Sequence, residues 1–286
     1  MARYYRAQTE CEKNLIDIID KLSYGRQRWQ VWQDLITVMA CSINVAVDRT
    51  PERFDARKKE LDDALERLGG IELPGKAFDA VVDALEGNPD QDFLGKMYMA
   101  LELGNHWTGQ FFTPYSVSRM MAKISLGNIK AAIEKQGWIS VCDPCIGGGA
   151  MLVAAANEAK EQGVNFQQNI LFVGQDIDPI VGMMAYVQIS LLGCPGYIVV
   201  ANTLSNPIIG DPLIPLAKPG QEFWYTPLYF SDIWNGRRQA RILQSLLDAA
   251  GPPVAQKKEE NFWFFFDRKE AVYERFVNQG NSEAER

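Results

Sequence analysis

Ser140-Val141-Cys142-Asp143-Pro144-Cys145-Ile146-Gly147-Gly148-Gly149-Ala150-Met151-Leu152 passes from an apolar run through a glycine-rich turn into a helix-forming stretch. The pattern predicts a buried strand, a tight turn and a helix. Glycines let the backbone approach a ligand closely, and the first turn of the following helix offers unpaired N–H groups, so the junction suits a nucleotide-like cofactor. Glycine-rich turns also arise for steric reasons alone, so the neighbouring segments must carry the assignment.

Downstream, Ile170 to Val173 reads as a second buried strand that closes in Gly174-Gln175-Asp176. Ile180, Met183, Met184, Val187 and Leu191 then recur at helical spacing, and Tyr197 to Ala201 reads as a third strand. Continuous apolar strands alternating with amphipathic helices predict an α/β, Rossmann-like fold with a parallel sheet covered on both faces. In such a sheet the ligand lies beyond the carboxyl ends of the strands. Three groups converge there: the turn Asp143 to Gly149, the acid Asp176 and Asn202. An acid ending the second strand is placed to accept hydrogen bonds from ribose hydroxyls, which points to an adenosine-bearing cofactor.

Upstream, residues 1–105 read as an all-helical region. Trp29, Trp32, Leu35, Ile36, Met39 and Ile43 form one helical stripe, and Thr50-Pro51-Glu52 opens a charged helix that should stop at Gly69-Gly70. Further helices are expected from Lys76 to Leu85 and from Phe93 to Leu103. Gly109-Gln110-Phe111-Phe112-Thr113-Pro114 then leads into Val117, Met120, Met121 and Ile124 at helical spacing. The expected organisation is a helical region over 1–105, a cofactor-binding α/β domain over 106–250 and an amphipathic tail over 251–286.

With 286 residues, 47% of them hydrophobic, the chain can bury a sizeable core, and its net charge of -7 excludes a uniformly basic nucleic-acid surface. Any contact with DNA must then be a local groove. No apolar segment is long and clean enough to span a bilayer and no secretory leader is visible, so a cytoplasmic protein is expected. Five scattered cysteines suit reduced thiols. Cys142 and Cys145 form a CxxC pair, but one histidine and no second CxxC give zinc no ligand set, and no metal is expected.

The ordered motifs resemble the gamma-type amino-group DNA methyltransferases, and most closely the modification subunits of type I restriction systems, over roughly residues 90 to 230. Gly109 to Pro114 is similar to that family's G-Q-[YF]-[YF]-T-P element, and Asp143 to Gly149 to its D-P-x-x-G-x-G loop. The resemblance implies S-adenosylmethionine held by Phe111, Phe112, Thr113, Pro114, Asp143, Pro144, Gly147, Gly149, Asp176 and Asn202. Asn202 stands where the family often has an aspartate near the adenine of the cofactor.

The family's catalytic [DNS]-P-P-[YFW] element, which follows its fourth strand, is absent from the sequence. Thr226-Pro227-Leu228-Tyr229 is the nearest candidate, with Thr226 as acceptor for the target amine, Pro227 stiffening the turn and Tyr229 stacking on a flipped base. Phe223-Trp224-Tyr225 and Tyr229-Phe230 read equally as hydrophobic packing. The resemblance implies transfer to an exocyclic amine of DNA, adenine N6 ahead of cytosine N4. The altered element leaves open a catalytically impaired cofactor-binding protein that assembles with, or interferes with, a restriction-modification complex. Methylation of RNA or protein by the same fold is a third option. The expected partners are DNA and a protein that supplies sequence recognition, because fewer than sixty residues follow Tyr229.

Overall fold

The computed structural model describes residues 5–101, 103, 112–250 and 263–265. Five helices come first: α1 (Glu10–Leu22), α2 (Arg28–Val47), α3 (Pro51–Arg67), α4 (Glu72–Gly87) and α5 (Phe93–Ala100). Local chemistry sets their ends. Thr9 caps α1 by accepting from Glu12 N, Pro51 opens α3, and Asp92 caps α5 by accepting from Gly95 N. Two further helices, α6 (Tyr115–Leu126) and α7 (Ile129–Gln136), lead into β1 (Ile139–Asp143).

The α/β part then runs α8 (Ala150–Glu161), a single turn α9 (Phe166–Asn169), β2 (Ile170–Asp176), α10 (Pro179–Leu191) and β3 (Gly196–Val200). A small hairpin of β4 (Gly210–Asp211) and β5 (Ile214–Pro215) precedes β6 (Glu222–Tyr225), a 3-10 turn over Pro227–Phe230, and α11 (Asp232–Ala250). The last described segment is β7 (Trp263–Phe265). The main sheet has the order β6-β3-β2-β1-β7, with β1, β2, β3 and β7 parallel and β6 antiparallel to β3.

Every residue of β1 and all but the last of β2 and β3 are buried, as a parallel sheet covered on both faces requires. Alternate side chains feed two cores. Val141, Ile170, Phe172 and Ile198 join the large cluster that continues through α8 and α10 into α2 and α1. Cys142, Leu171, Val173, Tyr197 and Val199 face the opposite side, where Leu213, Phe223, Tyr229 and Trp234 cover them.

The N-terminal helices are part of this packing. α2 lies against α10, and Arg57 of α3 pairs with Glu222 of β6 at 2.5 Å while lying 3.6 Å from the centre of the Trp224 ring. The expected α/β class is borne out. Within the span read as an amphipathic tail, Trp263–Phe265 form a strand of the central sheet beside β1. Among the described residues no helix is long and apolar enough to cross a membrane, and no three metal-ligating side chains cluster.

Candidate cofactor site

Asp143 and Asp176 end β1 and β2, and the turn from Pro144 to Gly149 arches over the gap between the strands. Gly149 has φ of 100°, and a Cβ there would stand 3.1 Å from the Ala185 backbone on α10, so only glycine lets the turn enter α8 at this depth. The turn is anchored by hydrogen bonds from Ile146 N to Gln175 O (3.0 Å) and from Gly147 N to Asp176 Oδ2 (3.0 Å). Asp143 Oδ1 accepts from Cys145 N at 3.0 Å.

These groups line a cavity of about 370 Å³ together with Asp92, Phe112, Thr113, Ile177 and Val181. Three carboxylates face it, and its described lining holds no Lys, Arg or His. A pyrophosphate-bearing dinucleotide would meet uncompensated repulsion there. The acceptor set instead fits a cationic molecule that carries hydroxyls. Ile177, 63% exposed yet part of the wall, offers an apolar surface at the mouth.

Burial and the neighbouring Asp176 push the Asp143 carboxyl up to about 6. Burial also raises Asp92 and Asp176 above the ordinary carboxylate range. The Asp143 proton therefore stabilises the ligand-free fold: this contribution is fully present below the unfolded value near 3.8 and is lost as pH rises through about 6. A cationic ligand favours the ionised form. Affinity for such a ligand is expected to be level above neutral pH and to fall by up to about tenfold per pH unit below 6, as titration calorimetry between pH 5 and 8 would show.

The structure sorts the sequence-derived site residues into three groups. Asp143, Gly147 and Asp176 line the cavity with Phe112 and Thr113. Gly149 shapes the turn, and Pro114 directly precedes α6. Pro144 and Asn202 stand beside the cavity: Thr203 donates to Pro144 O at 2.5 Å, clasping the loop after β3 to the glycine turn. Asn202 Oδ1 is used by a local turn, accepting from Leu204 N (2.9 Å) and Ser205 N (3.1 Å). Phe111 lies outside the described residues.

Thr226, Pro227 and Tyr229 are not among the residues that line the cavity. β6 runs antiparallel to β3, with Tyr225 opposite Tyr197, so the segment after it sits at the amino end of β3, at the other end of the sheet. Thr226 is fully buried; its hydroxyl donates to Cys194 O (2.8 Å) and accepts from Gly196 N (2.9 Å). Tyr229 donates to Leu213 O and packs among Tyr197, Tyr225 and Phe230, with Arg238 3.9 Å from its ring centre. The packing reading of these aromatics is the one that the structure bears out. Thr226→Val should cost about 1–3 kcal/mol of stability by leaving two buried partners unpaired, yet leave ligand affinity unchanged, as denaturant titration and calorimetry would check.

Sequence reasoning missed Asp92, Ile177 and Thr203. Asp92 precedes Phe93 as a visible N-cap signal, but nothing local placed that cap in the cavity. The CxxC residues separate, Cys142 facing the α11 side of the sheet and Cys145 the cavity, and none of the five cysteines is in a disulfide.

Among solved structures, the chain is similar to a type I restriction-modification system methyltransferase subunit from Streptococcus thermophilus. The match has 14% identity and a TM-score of 0.36 and covers 68% of this chain and 58% of that one, so this chain spans less than two thirds of that subunit's length. It is also similar to a Listeria monocytogenes protein described as a class I S-adenosylmethionine-dependent methyltransferase, at 15% identity and a TM-score of 0.38, with 82% of this chain and 79% of that one covered. No curated protein sequence matches. The sequence model for N-6 DNA Methylase matches residues 90–268, well over half of the chain and a span holding the glycine turn, the acidic cavity and β7, and on that match the chain belongs to the N-6 DNA methylase family.

Proposed function

We propose that the cavity binds S-adenosylmethionine and that the protein serves methyl transfer to an exocyclic amine of DNA, adenine N6 ahead of cytosine N4, in a restriction-modification setting. The observation that carries the reading is a described lining whose charged groups, Asp92, Asp143 and Asp176, are all acidic, at a glycine turn within the family-matched span. S-adenosylmethionine supplies an electrophilic methyl group on a sulfonium centre. Asp176 accepts hydrogen bonds from ribose hydroxyls, and Ile177 and Val181 flank the adenine. Asp143 adds negative potential at the turn, and Phe112 and Thr113 close the wall on the side of α6. Asn202, in the loop after β3, would offer its Nδ2 to the adenine edge.

Incubation with tritiated S-adenosylmethionine and DNA of varied sequence tests the proposal. Label in DNA supports it; tight cofactor binding with no transfer to any DNA sinks the enzymatic part. One observation favours a second reading, a cofactor-binding subunit whose chemistry or target recognition depends on a protein partner: Thr226 to Tyr229 lie at the far end of the sheet, and no [DNS]-P-P-[YFW] element occurs in the sequence. The exposed Ile242, Leu243, Leu246 and Leu247 of α11 would suit such a protein contact in the cytoplasm. DNA would enter through a local groove, because the overall charge of -7 offers no general attraction.

A further inference from the structure

Asp92 is 6% exposed and lines the cavity beside Gly147 and Gly148. One carboxylate oxygen, Oδ1, accepts both of its hydrogen bonds among the described residues, from Gly95 N at 2.9 Å and from Gln188 Nε2 at 2.8 Å. The other oxygen, Oδ2, accepts none from the described residues. It rests over Gly95, where an added Cβ would stand only 2.1 Å from it.

Gln188, fully buried on α10, holds the unit together: its Oε1 accepts from Leu94 N at 3.1 Å, and its Nε2 also donates to Gly148 O at 2.6 Å. The acid, the amide and the glycine turn thus form one fixed piece of the wall. No cation of the protein compensates the acid from its own helix, since Lys96 of α5 is bonded to Glu12 and Gln8. Asp143 and Asp176, the other acids of the described lining, add repulsion. A carboxylate this enclosed, with one oxygen left to the cavity, gains from a ligand donor that it can pair with.

We infer that Asp92 Oδ2 is the acceptor and counter-ion for the α-ammonium of the cofactor's amino-acid end. The assignment rests on the methyl-donor reading and follows from a count of donors. A sulfonium centre has no N–H or O–H to give. With the adenine amine at the mouth beside Ile177 and Val181 and the ribose hydroxyls on Asp176, the ammonium is the donor left for the two remaining acids, of which Asp92 is the one tied through Gln188 to the glycine turn.

Asp92→Asn is the informative change. The amide keeps a carbonyl oxygen for Gly95 N and Gln188 Nε2, and places an NH2 group where Oδ2 stood. Calorimetry on the full chain would compare S-adenosylmethionine, S-adenosylhomocysteine, its des-amino analogue and methylthioadenosine, which lacks the amino-acid end. The variant should bind the first two roughly 10- to 100-fold more weakly and methylthioadenosine within about twofold of wild type. Wild-type protein should prefer S-adenosylhomocysteine over the des-amino analogue by the same factor, a measurement independent of how well the variant folds. Asp92→Asn should erase that preference.

Parallel weakening of methylthioadenosine would reduce Asp92 to a support for the turn and overturn the assignment. Equal wild-type affinity for S-adenosylhomocysteine and its des-amino analogue would overturn it too, while leaving the cofactor reading intact. Wild-type protein that binds none of the four overturns both.

Discussion

Asp176→Ala is expected to weaken S-adenosylmethionine binding by roughly 100-fold or more, the cost of about 3 kcal/mol of charge-assisted hydrogen bonding. The carboxylate is placed for this by β2, whose parallel pairing sets Asp143 opposite Gly174 and Asp176 opposite Val200, so the acid emerges beside the glycine turn. It already accepts from Gly147 N through Oδ2 and from Asp178 N through Oδ1, which fixes its plane before any ligand arrives. Burial raises its proton affinity, so the ligand-free protein carries a mild electrostatic burden at this site. Removing the side chain should leave the thermal midpoint within about 2 °C of wild type, because lost hydrogen bonds and relieved repulsion offset each other. Calorimetry with S-adenosylmethionine and differential scanning on the same preparation separate the two effects. Unchanged affinity would remove Asp176 from the site.

Trp224→Ala should be the most destabilising single change considered, at about 3–5 kcal/mol, with the thermal midpoint falling by roughly 10 °C. Trp224 is 1% exposed; Tyr186 of α10 packs on it at 5.4 Å between ring centres, and the Arg57 guanidinium covers it from α3. Truncation would open a cavity and also strip Arg57, itself 5% exposed, of its aromatic partner. The N-terminal helices and the sheet edge meet at this indole. A single cooperative transition that shifts as a whole, seen by both circular dichroism and tryptophan fluorescence, is the expected signature. Two separated transitions would show that the helical region unfolds on its own.

The sequence exposes its local and short-range logic well. Glycine turn, acid after β2, helix caps at Thr9, Asp92 and Asp178, and the proline start of α3 are all written in contiguous residues, and the cofactor cavity assembles largely from them. Pairing partners are not written that way. Phe223-Trp224-Tyr225 reads only as an apolar run before the candidate catalytic element, and nothing local says that the chain places it antiparallel on the edge beside β3. The position beside β1 goes to Trp263–Phe265, within a run of aromatic residues that composition alone presents as a sticky tail. Five consecutive aromatics, Phe262 to Phe266, are the signal in the sequence for a strand there, since aromatic residues favour the extended backbone. Asp92 illustrates a different limit: its capping role is local, but its entry into the cavity depends on α5 docking against α10 through Gln188.

The late arrival of β7 bears on how the chain is made. During synthesis β1, β2, β3 and β6 leave the ribosome long before Trp263, so the side of β1 that later pairs with Trp263–Phe265 has to wait with its backbone groups uncommitted. A nascent or prematurely terminated chain ending near Ala250 would present that strand edge and, separately, the exposed leucines of α11, and an open strand edge invites pairing with another polypeptide. Translation speed and chaperone access over the last stretch before residue 263 should therefore govern the yield of folded protein.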